Sequence, residues 1–504
     1  MPDKICVVMA ATGSHLGYRD LDEASLRAAR LFRSLGLRIG DGIALLCENH
    51  RRFFELCWAA QRSGLYYTPI NPRLTAGEAS YIVNDSGAKI LVTTIRQAEV
   101  AAKLVTLTPA VAKRLMLDGA IPGYEPFEPL AQACPPIPLD DETEGKSMLY
   151  SSGMVGRPKG VTEPLSGGPI TMMPPVINAF ARLFSIDDRC VLLSPGPLHH
   201  AAPLAFCMTV QTRGGTCVVM DKFDAESLLE LIAKYRVTHA NLVPTMFVRL
   251  LKLPAATRRR YDLSSLRVVI HGAAPCPVSV KEQMIDWWGP ILYEYYSATE
   301  GSVFCLIDSP TWLKHKGSVG RPVLGPVHIL DEAGRERPRG QVGDVWSAAP
   351  SDVHYHNDPR QTALARNDRG WTTLGDIGYL DDDGYLYLTD RKAFTIITGG
   401  SKVYPREVED VLIAHPQVVD SAVFGVPDDD LGEIVMAVVQ PSSMEGAGSD
   451  LEADLIRHCR ERLAAFKCPH AIAFLPELPR HDTGKLYKRE LRSRFSAVYG
   501  RAVG

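Results

Sequence analysis

The sequence predicts an α/β fold. A large, multi-subdomain N-terminal domain of mainly parallel sheets, with a β-rich segment near its end, precedes a small α/β C-terminal domain. Three observations predict it. Apolar residues at helical spacing alternate with short buried strands over residues 18–88, the rhythm that builds parallel sheets. A turn-rich stretch over residues 317–359 interrupts it with GSVGRP, GQVGD and YHNDP. The charged run Asp390-Arg391-Lys392 then ends a hairpin, and a fresh apolar strand with its own Gly-Gly turn begins, as at a domain boundary. The predicted domains are residues 1–390 and 391–504. The second is too small to carry chemistry alone and reads as a lid.

Taken in order, residues 5–11 read as a strand, because the apolar run is short, follows Asp3 and lacks a signal-peptide cleavage site. Leu21, Ala24, Ala28, Leu31, Phe32 and Leu35 predict a helix closed by Gly36, and residues 43–47 a buried strand. Phe54, Cys57 and Ala60 predict a second helix, and residues 66–70 a second strand. Further βα units follow at 190–193, 225–234, 240–243 and 267–270. Asp383-Gly384 predicts a hairpin turn. The lid reads as helix 407–413, strands 421–425 and 435–439, helix 451–463 and strand 471–475.

A chain of 504 residues is long enough for two or three domains. Its net charge of −3 gives no electrostatic footprint for nucleic acid, while local loops can still hold a phosphate ligand. The 11 cysteines are odd in number and contain no Cys-x-x-Cys pair, which predicts small core residues in a reduced, cytoplasmic compartment. No apolar run reaches the roughly 18 residues that span a bilayer.

Several motifs carry chemistry. Residues 150–161, YSSGMVGRPKGV, combine hydroxyls, glycines and a lysine, a composition suited to a phosphate because backbone N–H groups, hydroxyls and a cation all favour an anion. The spacing is not that of a Walker A loop. Prolines 195, 197 and 203 hold His199 and His200 on a constrained turn, where plain packing is the competing reading. HGAAPCP follows a strand, where small side chains allow a flat base to approach backbone. YEYYSATE places a hydroxyl and a carboxylate, Thr299 and Glu300, side by side after an aromatic cluster, and one carboxylate with phosphate oxygens suits Mg²⁺. Asp376 precedes the Asp383-Gly384 hairpin, and Lys485 follows a Asp-Thr-Gly turn ahead of a basic helix.

In this order the motifs resemble those of the adenylate-forming enzymes, the acyl-CoA synthetase and luciferase superfamily. YSSGMVGRPKGV is similar to their YTSGTTGxPKGV loop, and GDGIALLCEN, PINPRL and DSGAKILV look like their amino-terminal part. The likeness runs over residues 18–489. It implies that Ser151, Ser152, Gly153, Gly156 and Lys159 hold the triphosphate, and that Gly272, Ala273, Ala274 and Tyr296 border adenine. Thr299 is implied at the α-phosphate, Glu300 at Mg²⁺, and Asp376 and Arg391 at the ribose. His199 takes the aromatic gate position of the acyl pocket and His200 the family histidine. Gly399, Gly400 and Lys402 fall where CoA approaches, Ala393 at the hinge of a mobile lid, and Lys485 at the lysine that reaches the carboxylate and α-phosphate. The departures are Met154 and Val155 for two threonines, Ser297 for glycine, Leu374 for threonine, Ala393 for a charged hinge residue, and Phe394 for a polar one.

The resemblance implies an ATP-dependent carboxylic acid:CoA ligase using Mg²⁺, with a small-molecule acid, ATP and CoA as partners. The Ala201-Ala202 and Ala273-Ala274 pairs favour a fatty or bulky apolar acid. The alternatives are transfer to a carrier protein, and a binding or regulatory homologue impaired by its altered loop. Peripheral membrane contact and a homodimer stay open. The chain also starts late for the family, with little sequence before Tyr18.

Overall fold

The computed structural model describes residues 2–151, 158–170, 175–352, 354–391, 394–399, 401–428, 431–480 and 486–499. Two large sheets organise the first part of the chain. One has six strands, all parallel, in the order Glu125–Pro126, Lys113–Leu117, Ala88–Thr94, Gly42–Leu46, Tyr66–Ile70 and Lys146–Ser147. The other has nine. Its six central strands run parallel in the order Leu292–Ser297, Val268–His271, His239–Leu242, Val191–Ser194, Thr216–Val219 and Ile5–Met9. The edges are antiparallel: Phe304–Asp308 and Arg321–Pro322 on one side, His15–Gly17 on the other.

The helices Tyr18–Ser34 and Phe53–Arg62 bury their apolar faces in a core shared by both sheets, with Phe32, Phe53 and Phe54 at its centre. Because the central strands of the nine-stranded sheet are parallel, their carboxyl ends share one edge, where open α/β sheets place ligands. The turn before His199 and His200, the turn at Gly272, and the turn holding Thr299 and Glu300 all leave that edge.

The β-rich segment is an antiparallel four-stranded sheet in the order Val327–Leu330, Gly343–Ser347, Asp376–Leu380 and Leu386–Arg391. The expected hairpin closes through Gly384 at φ +82°, a left-handed conformation that glycine adopts without strain. Leu374 is 9% exposed and packs into this sheet's core with Val345 and Leu386, so its apolar side chain serves packing.

The C-terminal sheet runs Ser401–Val403, Ile396–Thr398, Gly432–Pro441 and Val418–Asp428, with Ala471–Phe474 parallel to Gly432–Pro441. Its two long strands extend beyond the apolar runs that predicted them. The ladder continues through Asp420–Gln440 and Asp428–Gly432 pairs, polar positions beyond the apolar runs. The helix Ser449–Arg460 stops before Leu463, whose N–H caps back to Cys459. All eleven cysteines are free, and all but Cys134 are buried. Among the described residues no helix is long and apolar enough to cross a membrane.

Candidate active site

The phosphate-loop motif connects two antiparallel strands, Leu149–Ser151 and Lys159–Thr162, with Ser151 opposite Lys159. Ser152, Gly153 and Gly156, with Met154 and Val155, lie outside the described residues. Lys159 Nζ is 3.0 Å from Asp358 Oδ2 and lies over the Tyr355 ring at 5.7 Å. Asp358 also caps the helix Pro359–Leu364 by accepting from the Gln361 N–H. That bond, then Lys159, holds its carboxyl below the ordinary carboxylate range.

Glu300 meets this hairpin from the nine-stranded sheet. Its Oε1 accepts from Tyr355 Oη at 2.9 Å and from Ser151 Oγ at 3.3 Å. Thr299 is half-buried in the same turn, which closes through Gly301 N–H to Ala298 O. Tyr355 is held in place because the strand His354–Tyr355 pairs with Lys159–Thr162.

Gly272 follows the strand Val268–His271, and a Cβ there would sit 2.8 Å from the Tyr295 ring and carbonyl. Only glycine permits that approach. Ala273 has φ +68°, left-handed for a residue that carries a Cβ. Ala273, Ala274, Tyr296 and Asp376 line one cleft of about 280 Å³, whose opposite side comes from Arg406, Arg480 and Lys488 of the C-terminal region. Tyr296 Oη donates to Asp376 Oδ2 at 2.6 Å. Asp376 is 6% exposed and lies opposite Arg391 across the antiparallel ladder.

His199 and His200 pack with ring centroids 4.1 Å apart and planes tilted by 50°, and His200 is the N-cap of the helix Ala201–Thr212. His199 is buried and its Nε2 has no hydrogen-bond partner among the described residues. Burial first, then the charges of His200 and Arg73, push its pKa well below the ordinary imidazole value, so the ring is neutral. Asn49 fixes this turn: its Oδ1 accepts from the Leu198 N–H at 2.7 Å, while its Nδ2 donates to Gly196 O and Met220 O.

In the C-terminal region Gly399 turns between Ile396–Thr398 and Ser401–Val403. Lys402 Nζ is 3.0 Å from Glu332 of the β-rich segment, so Lys402 is engaged across the two parts of the chain. Ala393, Gly400 and Lys485 lie outside the described residues. The flanks of Lys485 are described: Arg480 and Leu486 form an antiparallel bridge, and both line the cleft. Arg480 forks onto Asp420 with Nε and Nη2 each at 2.6 Å.

The fold thus brings together Ser151, Lys159 and Glu300, and separately Ala273, Ala274, Tyr296 and Asp376. Sequence reasoning singled out none of Tyr355, Asp358 and Asn49, although the first two stood in the YHNDP segment and Asn49 ends GDGIALLCEN. Among the described residues no group of three or more His, Cys, Asp or Glu side chains is placed to hold a metal ion. A lone carboxylate at Glu300, flanked by hydroxyls, nonetheless fits Mg²⁺ that arrives with phosphate oxygens.

A cleft at the carboxyl edge of a parallel sheet, walled on the far side by a small second sheet, is the arrangement of a nucleotide-using α/β enzyme. Residues 1–353 match the family model for AMP-binding enzymes and residues 407–485 that for the AMP-binding enzyme C-terminal domain. The chain belongs to this family, within the adenylate-forming superfamily. It is 34% identical over 490 residues to a feruloyl-CoA synthase of Amycolatopsis, covering 96% of this chain and 94% of that relative. It is 31% identical over 505 residues to the long-chain-fatty-acid–CoA ligase FadD13 of Mycobacterium tuberculosis, covering 97% and 95%. The ATP-bound structure of MatB from Rhodopseudomonas palustris superposes with a TM-score of 0.84 at 28% identity, covering 99% and 97%. The apo structure of that protein superposes at 0.72, with 29% identity and the same coverages.

Proposed function

We propose that this protein is an ATP-dependent carboxylic acid:CoA ligase. A carboxylate oxygen of the acid attacks the α-phosphorus of ATP, the bond to the β-phosphate bridging oxygen breaks, and pyrophosphate leaves. The CoA thiolate then attacks the acyl carbonyl, the C–O bond to AMP breaks, and the thioester is released. The observation that carries this reading is the convergence of Tyr296 and Asp376 on one cleft wall, joined by a 2.6 Å hydrogen bond, against a second wall from the C-terminal region.

In this reading Asp376 and Arg391 hold the ribose, and Gly272, Ala273, Ala274 and Tyr296 enclose adenine. Ser151 to Gly156 and Lys159 cradle the phosphates, where Lys159 exchanges Asp358 for a phosphate oxygen. Thr299 donates to the α-phosphate. Glu300, steered by Tyr355 and Ser151, offers its carboxylate to Mg²⁺, which supplies charge neutralisation of the triphosphate when bound. Lys485 lies in the segment between Arg480 and Leu486 and neutralises the carboxylate and α-phosphate as they approach, which stabilises attack selectively. No side-chain nucleophile is needed, and positioning supplies most of the acceleration.

The lid comprises residues 391–504 and turns about Ala393 between the two half-reactions, bringing Gly399, Gly400 and Lys402 to CoA. The better superposition on ATP-bound than on apo MatB supports an arrangement suited to adenylation. His199 gates a pocket for a fatty or bulky apolar acid, with His200 beside it. The small side chains of Ala201, Ala202, Ala273 and Ala274, and relatives named for feruloyl and long-chain acids, support that preference.

The test is pyrophosphate release with ATP, Mg²⁺ and a panel of fatty, aryl and steroid-like acids. At least one apolar acid is expected to release pyrophosphate and, with CoA, yield a thioester. Absence of adenylate across the panel overturns the proposal.

A further inference from the structure

A buried ion pair lies behind the cleft wall. Lys281, on the helix Val278–Trp288, is 0% exposed, and its Nζ donates to Glu294 Oε2 at 2.7 Å, with the Glu294 side chain 5% exposed. The same Nζ lies 4.6 Å over the ring of Trp312, which is 1% exposed. Glu294 sits two residues before Tyr296 on the strand Leu292–Ser297, so the two share a face, and both line the cleft. Lys281 follows the Gly272-Ala273-Ala274 turn by one short loop. The pair therefore ties the segment carrying Ala273 and Ala274 to the strand carrying Tyr296.

Two further observations give this tie a task. Ala273 holds φ +68° at the cleft wall, and a non-glycine residue in that region persists only where its surroundings over-determine it. His271, next to Gly272, is fully buried, has no hydrogen bond on either ring nitrogen among the described residues, and stands 3.9 Å from Glu294 Oε2. Burial, then the charge of Lys281, keeps that imidazole neutral. His271 therefore does not balance the Glu294 carboxylate, and Lys281 does.

We infer that Lys281 is a positioning residue for the nucleotide: through Glu294 it sets the spacing between the Ala273-Ala274 turn and Tyr296, and so the fit of the ATP base. The inference rests on the nucleotide site proposed above. It adds a residue that touches neither substrate nor reacting atoms.

Lys281→Met keeps length and packing over Trp312 but strands the carboxylate, and Lys281→Met with Glu294→Gln removes both charges. Removing one member of a buried pair is far more harmful than removing both. ATP binding is measured by calorimetry, KM for ATP and for the acid in pyrophosphate release, and Tm by thermal unfolding. Lys281→Met is expected to raise the Kd and KM for ATP by about tenfold while kcat and the KM for the acid change by about twofold or less. The double variant is expected to recover most of that loss. An unchanged ATP Kd, or equal rises in both KM values, overturns the inference. If Lys281→Met does not fold, Glu294→Gln alone decides: a selective rise in the ATP constants supports the role, and none overturns it. Calorimetry also separates this test from the proposed reaction, because ATP can bind whether or not any acid of the panel is activated.

Discussion

Asp376→Asn perturbs the proposed nucleotide site at one side-chain atom. The amide retains an oxygen for Tyr296 Oη, whose bond to Oδ2 is 2.6 Å, so the local fold stays close to that of the parent. What is lost is the charge, with one acceptor oxygen replaced by an amide donor, so the charge alone sets a minimum loss. Hydrogen bonds to an ionised acceptor contribute about 1.5–3 kcal/mol against about 0.5–1.5 for a neutral one, so each ribose hydroxyl loses about 1 kcal/mol. With Asp376 6% exposed, solvent screening removes little of this. Two hydroxyls give about 2 kcal/mol, or about 30-fold in the Kd for ATP at 1.4 kcal/mol per decade. Calorimetric titration with ATP and with 2′,3′-dideoxy-ATP reads it directly. The variant is expected to bind ATP about 30-fold more weakly and the dideoxy nucleotide within about twofold of the parent. An equal loss for both nucleotides would refute the ribose assignment.

Lys485→Ala is expected to abolish pyrophosphate release, by about 100-fold or more, with ATP binding nearly unchanged, because in the proposed reaction its charge acts on the transition state. Met154→Thr with Val155→Thr is expected to lower the KM for ATP; no change would mean that backbone amides alone carry that loop. Leu374→Thr restores the residue of the family motif, yet is expected to cost about 2–4 kcal/mol in urea unfolding without improving ATP affinity, since Leu374 packs in the β-rich core. Burial lowers the pKa of His199, His239 and His271. Below the ordinary imidazole value the unfolded chain binds protons that the folded chain does not, so stability falls as pH drops from about 6.5, by up to about 1.4 kcal/mol per unit for each histidine. Urea midpoints at pH 7 and pH 5 check this, and His239→Gln is expected to flatten the slope.

Much of this architecture was legible because period and punctuation agree. The strand at residues 66–70 has the bounds its apolar run predicts, and the hairpin at Asp383-Gly384 is present. Where the sequence misled, polar residues continued a ladder, as through Asp420 and Gln440, or a core took over a motif position, as at Leu374. Ala273, Ala274, Tyr296 and Asp376 of the cleft were legible through their motifs, while Arg406, Arg480 and Lys488 were not. Their supports were not, because Tyr355, Asn49 and Lys281 act across separations of 55, 149 and 13 residues. Those contacts arise from strand order, which no local pattern encodes. Lys281 in particular belongs to no motif, and only the fold sets it against Glu294 of the adjoining strand.

The central claim is that an acid is activated as its adenylate, and oxygen transfer tests it most directly. The acid chosen from the panel is labelled with ¹⁸O in its carboxyl group and incubated with ATP, Mg²⁺ and CoA, and the released AMP is weighed by mass spectrometry. Attack of the carboxylate on the α-phosphorus leaves one labelled oxygen in AMP when CoA displaces it, so singly labelled AMP in step with thioester is the expected result. Unlabelled AMP, or label found in inorganic phosphate beside ADP, would contradict the account.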